Sequence, residues 1–543
     1  MKNFGLYNIQ QQGISIIVSP TENARDLDCF LQTFTEKNSF YPVEVLIPTG
    51  TPSEEITSVI DKYRLKCFIM PVKCSPAASG PVIKNTAANE AVYPYLLFID
   101  SRIIYTADVL PRAFKMFENP LIGLVGTRLD QYLGSANHDE ARVIHSGITF
   151  KWNREQEQFE PVIIGHKTFP GINQLKNGPF MAVSSSFLFC SKEDFMAVAG
   201  FNEQLEPGLA EVEFCLRLQS RLKKVCFCLN EKPLHLSKNH ELEAKKPFSA
   251  IEGQKANNRP GITEYGTANK FSGKIAVVCH VFYFEQWPFL AHLIRNIPAG
   301  FHLFVTVPEN SKAADREKII KKFPEAKISL HPNRGRDIAP FLEVLPEIIN
   351  NDYDLVCKVH TKKDDPVYGD VWRWLMLQAT LGSSELVSLI LDKFAAFKNL
   401  GMTGPALLYK SSKALMYNNL GNIRKIRQLM PGKPVIPEDW GFFPGSCFWA
   451  RPASLATLAE TVKQLDFEDD NTQTDGQLAH AAERLFGLAV MEAGLSLGLV
   501  SISPGKIREP AFNMITPPGS PSTEIIEHTM IEFVHQHITG LKN

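Results

Sequence analysis

Four stretches in the second half of this 543-residue chain put charged or polar groups at the end of apolar runs. The first is Asn333-Arg334-Gly335-Arg336-Asp337-Ile338, a glycine turn that follows a short strand at 328–331 and leads into a helical pattern. Gly335 permits close backbone approach, and the free amides of a helix start attract an anion. Arg334 and Arg336 add planar guanidinium donors that match phosphate oxygens. A diphosphate-binding turn follows from that combination. The bland alternative is a helix capped by Asp337 with two solvated arginines.

The second stretch is Lys358-Val359-His360-Thr361-Lys362-Lys363. Strand alternation puts Lys358, His360 and Lys362 on one face, where three basic groups repel unless an anion or acid lies opposite. A nucleotide diphosphate meets that need, and so does a surface pairing with Asp364-Asp365. Trp372-Arg373-Trp374 offers stacking surfaces for a sugar or base, or core packing. The third stretch, Gly445-Ser446-Cys447-Phe448-Trp449, reads as a glycine turn into a buried strand. The fourth is Asp475-Gly476-Gln477-Leu478-Ala479-His480. Asp475 is an N-cap, or else a general base or metal ligand at the crevice. His360 is the second candidate for proton transfer, and Asp337, Lys358 and Lys362 join the two arginines as nucleotide-sugar ligands. Glu438-Asp439 is a further acidic pair.

Period-2 and period-3.6 apolar patterns alternate around these segments. Ile14 to Val18, Val43 to Ile47 and Tyr95 to Asp100 read as strands, with Leu27, Phe30, Leu31 and Phe34 forming a helical stripe between the first two. Thr51 with Pro52 and Glu54 reads as a capping box. The alternation restarts at Ile275 and runs through strands near 301–307, 328–331 and 353–359. Order of this kind predicts α/β units with largely parallel sheets, the same architecture twice. Polar, punctuated residues 238–272 read as a linker. The domains expected are 1–237, the linker 238–272, 273–510, and a tail 511–543 with an amphipathic helix over 525–541 that packs on the protein or a partner subunit, or else lies on a membrane.

Lys plus Arg number 57 and Asp plus Glu 58, so nothing in the charge asks for nucleic acid. Ten cysteines occur without a CxxC pair and read as core thiols. No apolar run approaches transmembrane length, and Met1-Lys2-Asn3-Phe4-Gly5 does not read as a secretory leader. The expected location is the cytoplasm, with peripheral docking at the inner face of a membrane and homo-oligomer formation left open.

The second-half segments, in this order, resemble the rhamnan synthesis protein F family over about 272–500. The resemblance implies transfer of L-rhamnose or a related sugar, with dTDP-rhamnose as donor, to a growing polysaccharide or lipid-linked glycan. The first half resembles family-2 glycosyltransferases of the GT-A fold in Ser15 to Asn23, Leu97-Phe98-Ile99-Asp100-Ser101-Arg102, Ala199 to Glu203 and Ala210 to Arg217. Two GT-A-like, Rossmann-like α/β domains are therefore expected. The GT-A plan implies that the strand entered at Gly445 lies beneath the acceptor, which makes Gly445, Ser446 and Trp449 the acceptor-binding candidates. In the family-2 pattern, carboxylates hold a divalent metal that offsets charge on the departing pyrophosphate, and another takes the acceptor proton. Here Asp100 is the metal and nucleotide candidate, with Mg2+ or Mn2+ as the ion, and Glu211 stands at the catalytic acid position. Arg102 replaces the second acid of Asp-x-Asp. The first domain is either an atypical transferase or one that has lost catalysis and binds glycan or scaffolds. A wholly non-catalytic scaffold in a polysaccharide assembly complex is the competing class.

Overall fold

The computed structural model describes residues 13–19, 23–50, 52–75, 77–131, 142–153, 158–165, 176–237, 271–298, 300–362, 365–433, 435–469, 475–503, 506–515 and 521–539. Two compact units divide the chain, Met1–Lys255 with Pro366–Tyr368 and Met530–Asn543, and Ala256–Asp365 with Gly369–Thr529. Most of the expected linker, 238–270, lies outside the described residues.

The first unit begins β1 (Ile14–Val18), α1 (Ala24–Lys37), β2 (Val43–Thr49), α2 (Glu54–Tyr63), β3 (Phe68–Lys73), α3 (Gly80–Glu90) and β4 (Tyr95–Ile99). It continues through β5 (Ile103–Ile104), α4 (Leu110–Lys115), β6 (Ile122–Gln131), β7 (Arg142–His145), β8 (Ile148–Asn153), β9 (Gln158–Ile163), β10 (Gly178–Phe180), β11 (Phe187–Ser191), α5 (Lys192–Ala197), α6 (Leu209–Leu222) and β12 (Val225–Leu236). The expected stripe forms: Leu27, Phe30, Leu31 and Phe34 are the buried face of α1. Apolar alternation fails to mark β1 as half-exposed because all five of its residues are buried, as befits a central parallel strand. Ser53 rather than Thr51 caps α2, its side chain accepting from Ile56 N at 3.2 Å, while Thr51 lies outside the described residues.

The second unit runs β13 (Ile275–His280), α7 (Trp287–Ile294), β14 (Phe301–Pro308), α8 (Ala313–Lys322), β15 (Lys327–His331), α9 (Ile338–Asn350), β16 (Leu355–His360), α10 (Gly369–Leu381) and α11 (Ser384–Ala396). Then come β17 (Leu400–Pro405), β18 (Lys410–Ser411), α12 (Leu420–Leu429), β19 (Gly441–Phe442), β20 (Phe448–Ala450), α13 (Ala456–Val462), α14 (Leu478–Glu492), β21 (Ser496–Ser503) and β22 (Lys506–Ile515). The last helix, α15 (Ile526–Thr539), belongs to the first unit from Met530 onward.

Both units are mixed α/β, and one strand plan serves both. The first sheet is ordered β3-β2-β1-β4-β11-β6-β12-β10 from its far edge, and the second β15-β14-β13-β16-β20-β17-β21-β22. In each, parallel strands meet one antiparallel strand, β11 or β20, that lies between β4 and β6 or between β16 and β17. Beyond it lies a parallel pair, β6 with β12 or β17 with β21, and an antiparallel edge strand, β10 or β22, ends each sheet. This is the repeated architecture that the order of apolar runs predicts. The strand-end positions of β4 and β16 therefore correspond, and these carry Asp100 and His360.

No single helix among the described residues is long and apolar enough to cross a membrane; α10 and α11 reach that composition only together, across a 58° bend. The tail helix α15 is packed: Met530, Phe533 and Val534 are buried, and His535 Nε2 lies 2.9 Å from Glu213 Oε1. Described cysteines are all free, and every one except Cys29 is buried.

Candidate functional site

In the first unit the expected acids are already neutralised by the chain's own cations. Arg102 Nε and Nη2 donate to the two oxygens of Asp100 at 2.9 and 2.5 Å, and the Arg102 amide adds a third bond at 2.9 Å. Burial opposes the ionised Asp100, but Arg102 outweighs it and holds the carboxyl below the usual range. The Arg that interrupts Asp-x-Asp thus occupies both oxygens a metal would need, and Asp100 does not fit the metal role expected of it. Among the described residues no three His, Cys, Asp or Glu side chains gather as ligands.

Glu211 does not fit the role of base either. It is 1% exposed; Oε1 takes Lys84 Nζ at 2.5 Å and Oε2 takes the Gly208 amide at 2.6 Å. A base needs an oxygen within reach of the hydroxyl it deprotonates. Here the helix start consumes one oxygen and a buried ion pair the other.

The second unit builds its cluster from strand ends. Parallel pairing sets His280 of β13 beside His360 of β16, and Thr306 of β14 beside His280. Their carboxyl ends face the turn 445–446 that precedes β20 and the residues before α9. Ligand crevices of α/β sheets lie at such strand ends. Lys358 is only 1% exposed, and its ammonium donates to Asp337 Oδ2 at 2.5 Å and to Ser446 Oγ and O at 2.8 and 3.1 Å. Ser446 Oγ donates to Asp337 Oδ2 at 3.0 Å, and His360 Nδ1 is 3.5 Å from the same oxygen and from Cys447 Sγ. The acid opposite Lys358 and His360 is Asp337. Lys358, expected to bind nucleotide, is instead a buried post that holds Asp337 and the turn. Asp337 precedes α9 but its side chain caps no amide, because Lys358 and Ser446 take it.

Burial works against the ionised Asp337, yet His360 and Lys358 facing it hold its carboxyl well below the usual range. His360 is itself pushed down to about 3 by burial, so at neutral pH the opposing charge is the Lys358 ammonium. Burial also lowers His280 to about 4 and raises the Cys447 thiol to about 12. An imidazole that burial has made so weakly basic, and only 5% exposed, is a poor fit to the proton-transfer role expected of His360.

Gly445 and Ser446 both have positive φ, +86° and +46°. A side chain at Gly445 would run into Met376 Sδ and meet Trp372 Nε1 at 3.0 Å, so glycine is required there for space and conformation. Around this floor stand partly exposed groups. Lys362 Nζ lies 4.3 Å from the Trp372 ring centroid, and Arg373 Nη1 donates to the Lys362 carbonyl at 2.8 Å. Arg336, also with positive φ, +55°, lies within electrostatic reach of His480, as does Asp337. Glu483 Oε1 accepts the Gly445 amide at 2.7 Å.

Other expected members lie elsewhere. Arg334 is exposed and pairs with Asp469 at 2.6 Å. Trp449, expected to touch acceptor, is 0% exposed with its indole N–H on the Thr380 carbonyl at 3.0 Å, so it is core. Trp374 is buried too. Asp475 is not the N-cap; Gln477 is, and Asp475 accepts from Asn419 Nδ2 at 2.8 Å, the Asn418 amide at 3.2 Å and Arg484 Nη2 at 3.2 Å. It braces the start of α14 rather than facing a hydroxyl. Asp439 similarly spends its oxygens on Ser411, Ser412 and two amides. Glu483 is the residue that sequence reasoning passed over as a site group. Its only signal was a place one helical turn after His480 on the helix that the Asp475 segment opens.

Residues 259–495 match the family model of Rhamnan synthesis protein F. Two curated relatives, both called "Uncharacterized protein WxcX" and both from Xanthomonas campestris pv. campestris (strains B100 and ATCC 33913), are 29% identical over 245 residues, 44% of this chain and 34% of theirs. The chain thus matches about a third of the length of those relatives. Among solved structures, residues 1–349 of TarS from S. aureus are 14% identical with a TM-score of 0.28, covering 41% of this chain and 60% of that one. The mannosyltransferase PcManGT from Pyrobaculum calidifontis, in complex with GDP-Man and Mn2+, is 12% identical with a TM-score of 0.30, covering 44% and 58%. GalNAc-T7 with UDP, GalNAc and Mn2+ is 11% identical with a TM-score of 0.33, covering 43% and 44%. Scores this low lend no weight to any residue's role.

Proposed function

We propose that this chain is a glycosyltransferase of bacterial cell-surface polysaccharide assembly, and that the part matching the rhamnan synthesis protein F family carries the transfer. The observation that supports this reading most is the gathering of Arg336, Lys362, Trp372 and Glu483 around the rigid Asp337–Lys358–Ser446 floor at the strand ends of the second unit. Arg336 and Lys362 supply cations for a diphosphate, and the Trp372 ring a stacking face for a sugar or base. The donor is a nucleotide sugar, dTDP-rhamnose, and the acceptor a hydroxyl of a polysaccharide or lipid-linked glycan. The work takes place in the cytoplasm at the inner face of the membrane, where such an acceptor would be presented.

The first unit takes no part in donor turnover on this reading. Its crevice acids are tied to Arg102 and Lys84, and it serves as a glycan-binding or scaffolding partner. The test is release of dTDP from dTDP-rhamnose by the full chain, with a rhamnose oligosaccharide as acceptor, with and without Mn2+. Acceptor-dependent release is expected, and it should persist in Arg102→Ala. Loss of turnover in Arg102→Ala with intact folding would move catalysis to the first unit.

A further inference from the structure

We propose that Glu483 is the group that takes the proton from the attacking hydroxyl in the second unit's crevice. The proposal rests on the glycosyltransferase reading above and assigns a residue that the reading left open. The other acids near the floor are poorer bases: despite burial, His360 and Lys358 hold the Asp337 carboxyl well below its usual range, and Asp475 has both oxygens hydrogen-bonded. Asp337 Oδ2 already accepts from Lys358 and Ser446, and Asp475 from Asn419, Asn418 and Arg484. Glu483 uses one oxygen for position and keeps the other, and its carboxyl is raised rather than lowered. Oε1 is fixed by the Gly445 amide at 2.7 Å, whereas Oε2 has Arg484 Nη1 at 3.9 Å, beyond hydrogen-bond length. The glycine turn that fixes it is the one that Lys358 locks through Ser446, so the carboxylate is held from a rigid element.

Its surroundings suit a base. Burial raises the Glu483 carboxyl above its ordinary value, Asp337 adds to that, and Arg484, the Gly445 amide and Lys362 oppose it. A base works best with a pKa brought toward the operating pH. Two buried donors beside it have no hydrogen-bond partner among the described residues: Trp372 Nε1, which meets the same Gly445, and His480 Nε2. His480 Nδ1 accepts the Gln477 amide at 3.2 Å, which leaves the proton on Nε2. Buried donors left over in this way ask for a ligand's oxygens, and a sugar supplies hydroxyl oxygens in number.

In the step proposed, the acceptor O–H bond breaks as its proton passes to Glu483 Oε2. The acceptor oxygen bonds to the anomeric carbon, the bond from that carbon to the phosphate oxygen breaks, and its electron pair leaves on the nucleoside diphosphate.

Glu483→Gln keeps an oxygen for the Gly445 amide and removes only the basicity. With dTDP-rhamnose and a rhamnose oligosaccharide, the full-length variant should lose about 10²–10⁴-fold in kcat, with donor KM and dTDP affinity unchanged. The acid limb of the kcat/KM profile should disappear with it. Glu483→Asp, one methylene shorter, should recover part of the rate and keep that limb. Overturning results are a Gln variant within about threefold of wild type, the scale below which no proton-transfer role of the usual size survives, or a loss of rate matched by a loss of dTDP affinity, which marks a structural role. A wild-type protein that binds dTDP-rhamnose but never turns it over removes the transferase reading and this assignment together. A wild-type protein that turns it over while the variant keeps pace removes only the assignment.

Discussion

Replacing Lys358 by methionine should destabilise the second unit by about 3–5 kcal/mol, the cost of leaving one member of a buried ion pair alone. The ammonium is 1% exposed and has three oxygen partners within 3.1 Å. Without it the Asp337 carboxylate faces only neutral imidazole and a hydroxyl, and Ser446 loses two bonds that hold it at φ +46°. Asp337→Asn in the same chain should restore much of the loss, because the orphaned charge is then gone. Since the chain has two units, a single melting curve is a poor readout. Hydrogen exchange of peptides spanning β16 in the full-length protein measures the unit directly. A loss below about 1 kcal/mol, the size of an exposed pair, would mean that Asp337 is solvated and the floor is not rigid.

Acid should open the same unit before the Asp337 carboxylate titrates. His280 and His360 are held neutral by burial, at about 4 and about 3, against an unfolded value of about 6.5. Between those values the unfolded chain binds more protons than the folded one, so stability falls as pH drops. Each histidine contributes about 1.4 kcal/mol per pH unit over that window, so the pair removes several kcal/mol by pH 4. Asp337 and Lys358 face both imidazoles, with His331 beside His280 and Lys362 beside His360. Asp337 then adds to the loss below about pH 4, since its depressed carboxyl stabilises the fold only while ionised. Exchange of β13 and β16 peptides from pH 7 to 4.5, corrected for intrinsic rates, should show falling protection. His280→Gln, which keeps an acceptor or donor for Thr306 Oγ1, now 2.8 Å away, should flatten the fall by about half. An unchanged slope in that variant would show that His280 titrates normally.

How far these features could be read beforehand depended on whether they were local. Strands and helices came through because apolar spacing is a local property: Leu27, Phe30, Leu31 and Phe34 declare one face of α1, and Ile275 to His280 declares a buried strand. The repeat of one strand plan also showed in the order of runs. What the residue string hides is which partner each charge finds. Asp337 looks like a cap, but a lysine 21 residues on takes it. Lys358, His360 and Lys362 alternate on paper, whereas the strand stops at His360 and only the first two are buried. Trp449 has the chemistry of a sugar-stacking residue and sits at the centre of the sheet. Asp475 and Gln477 exchange roles because Asn419 and Arg484 arrive from elsewhere in the fold. Glu483 went unweighed for the converse reason, that its significance comes from the Gly445 amide 38 residues before it. Arg102 is a different case. The departure from Asp-x-Asp was visible, and the pairing it makes with Asp100 is as close in sequence as it is in space.

The central claim is that the nucleotide's diphosphate sits at Arg336 in the second unit and not at Arg102 in the first. Calorimetric titration of dTDP into the full-length protein, into Arg336→Ala and into Arg102→Ala tests it in one series. Arg336→Ala should weaken binding by about 1–3 kcal/mol, the size of a lost charged hydrogen bond, or roughly 5- to 150-fold, with Arg102→Ala unchanged. Unaltered affinity in Arg336→Ala, with the loss appearing in Arg102→Ala instead, would contradict the account.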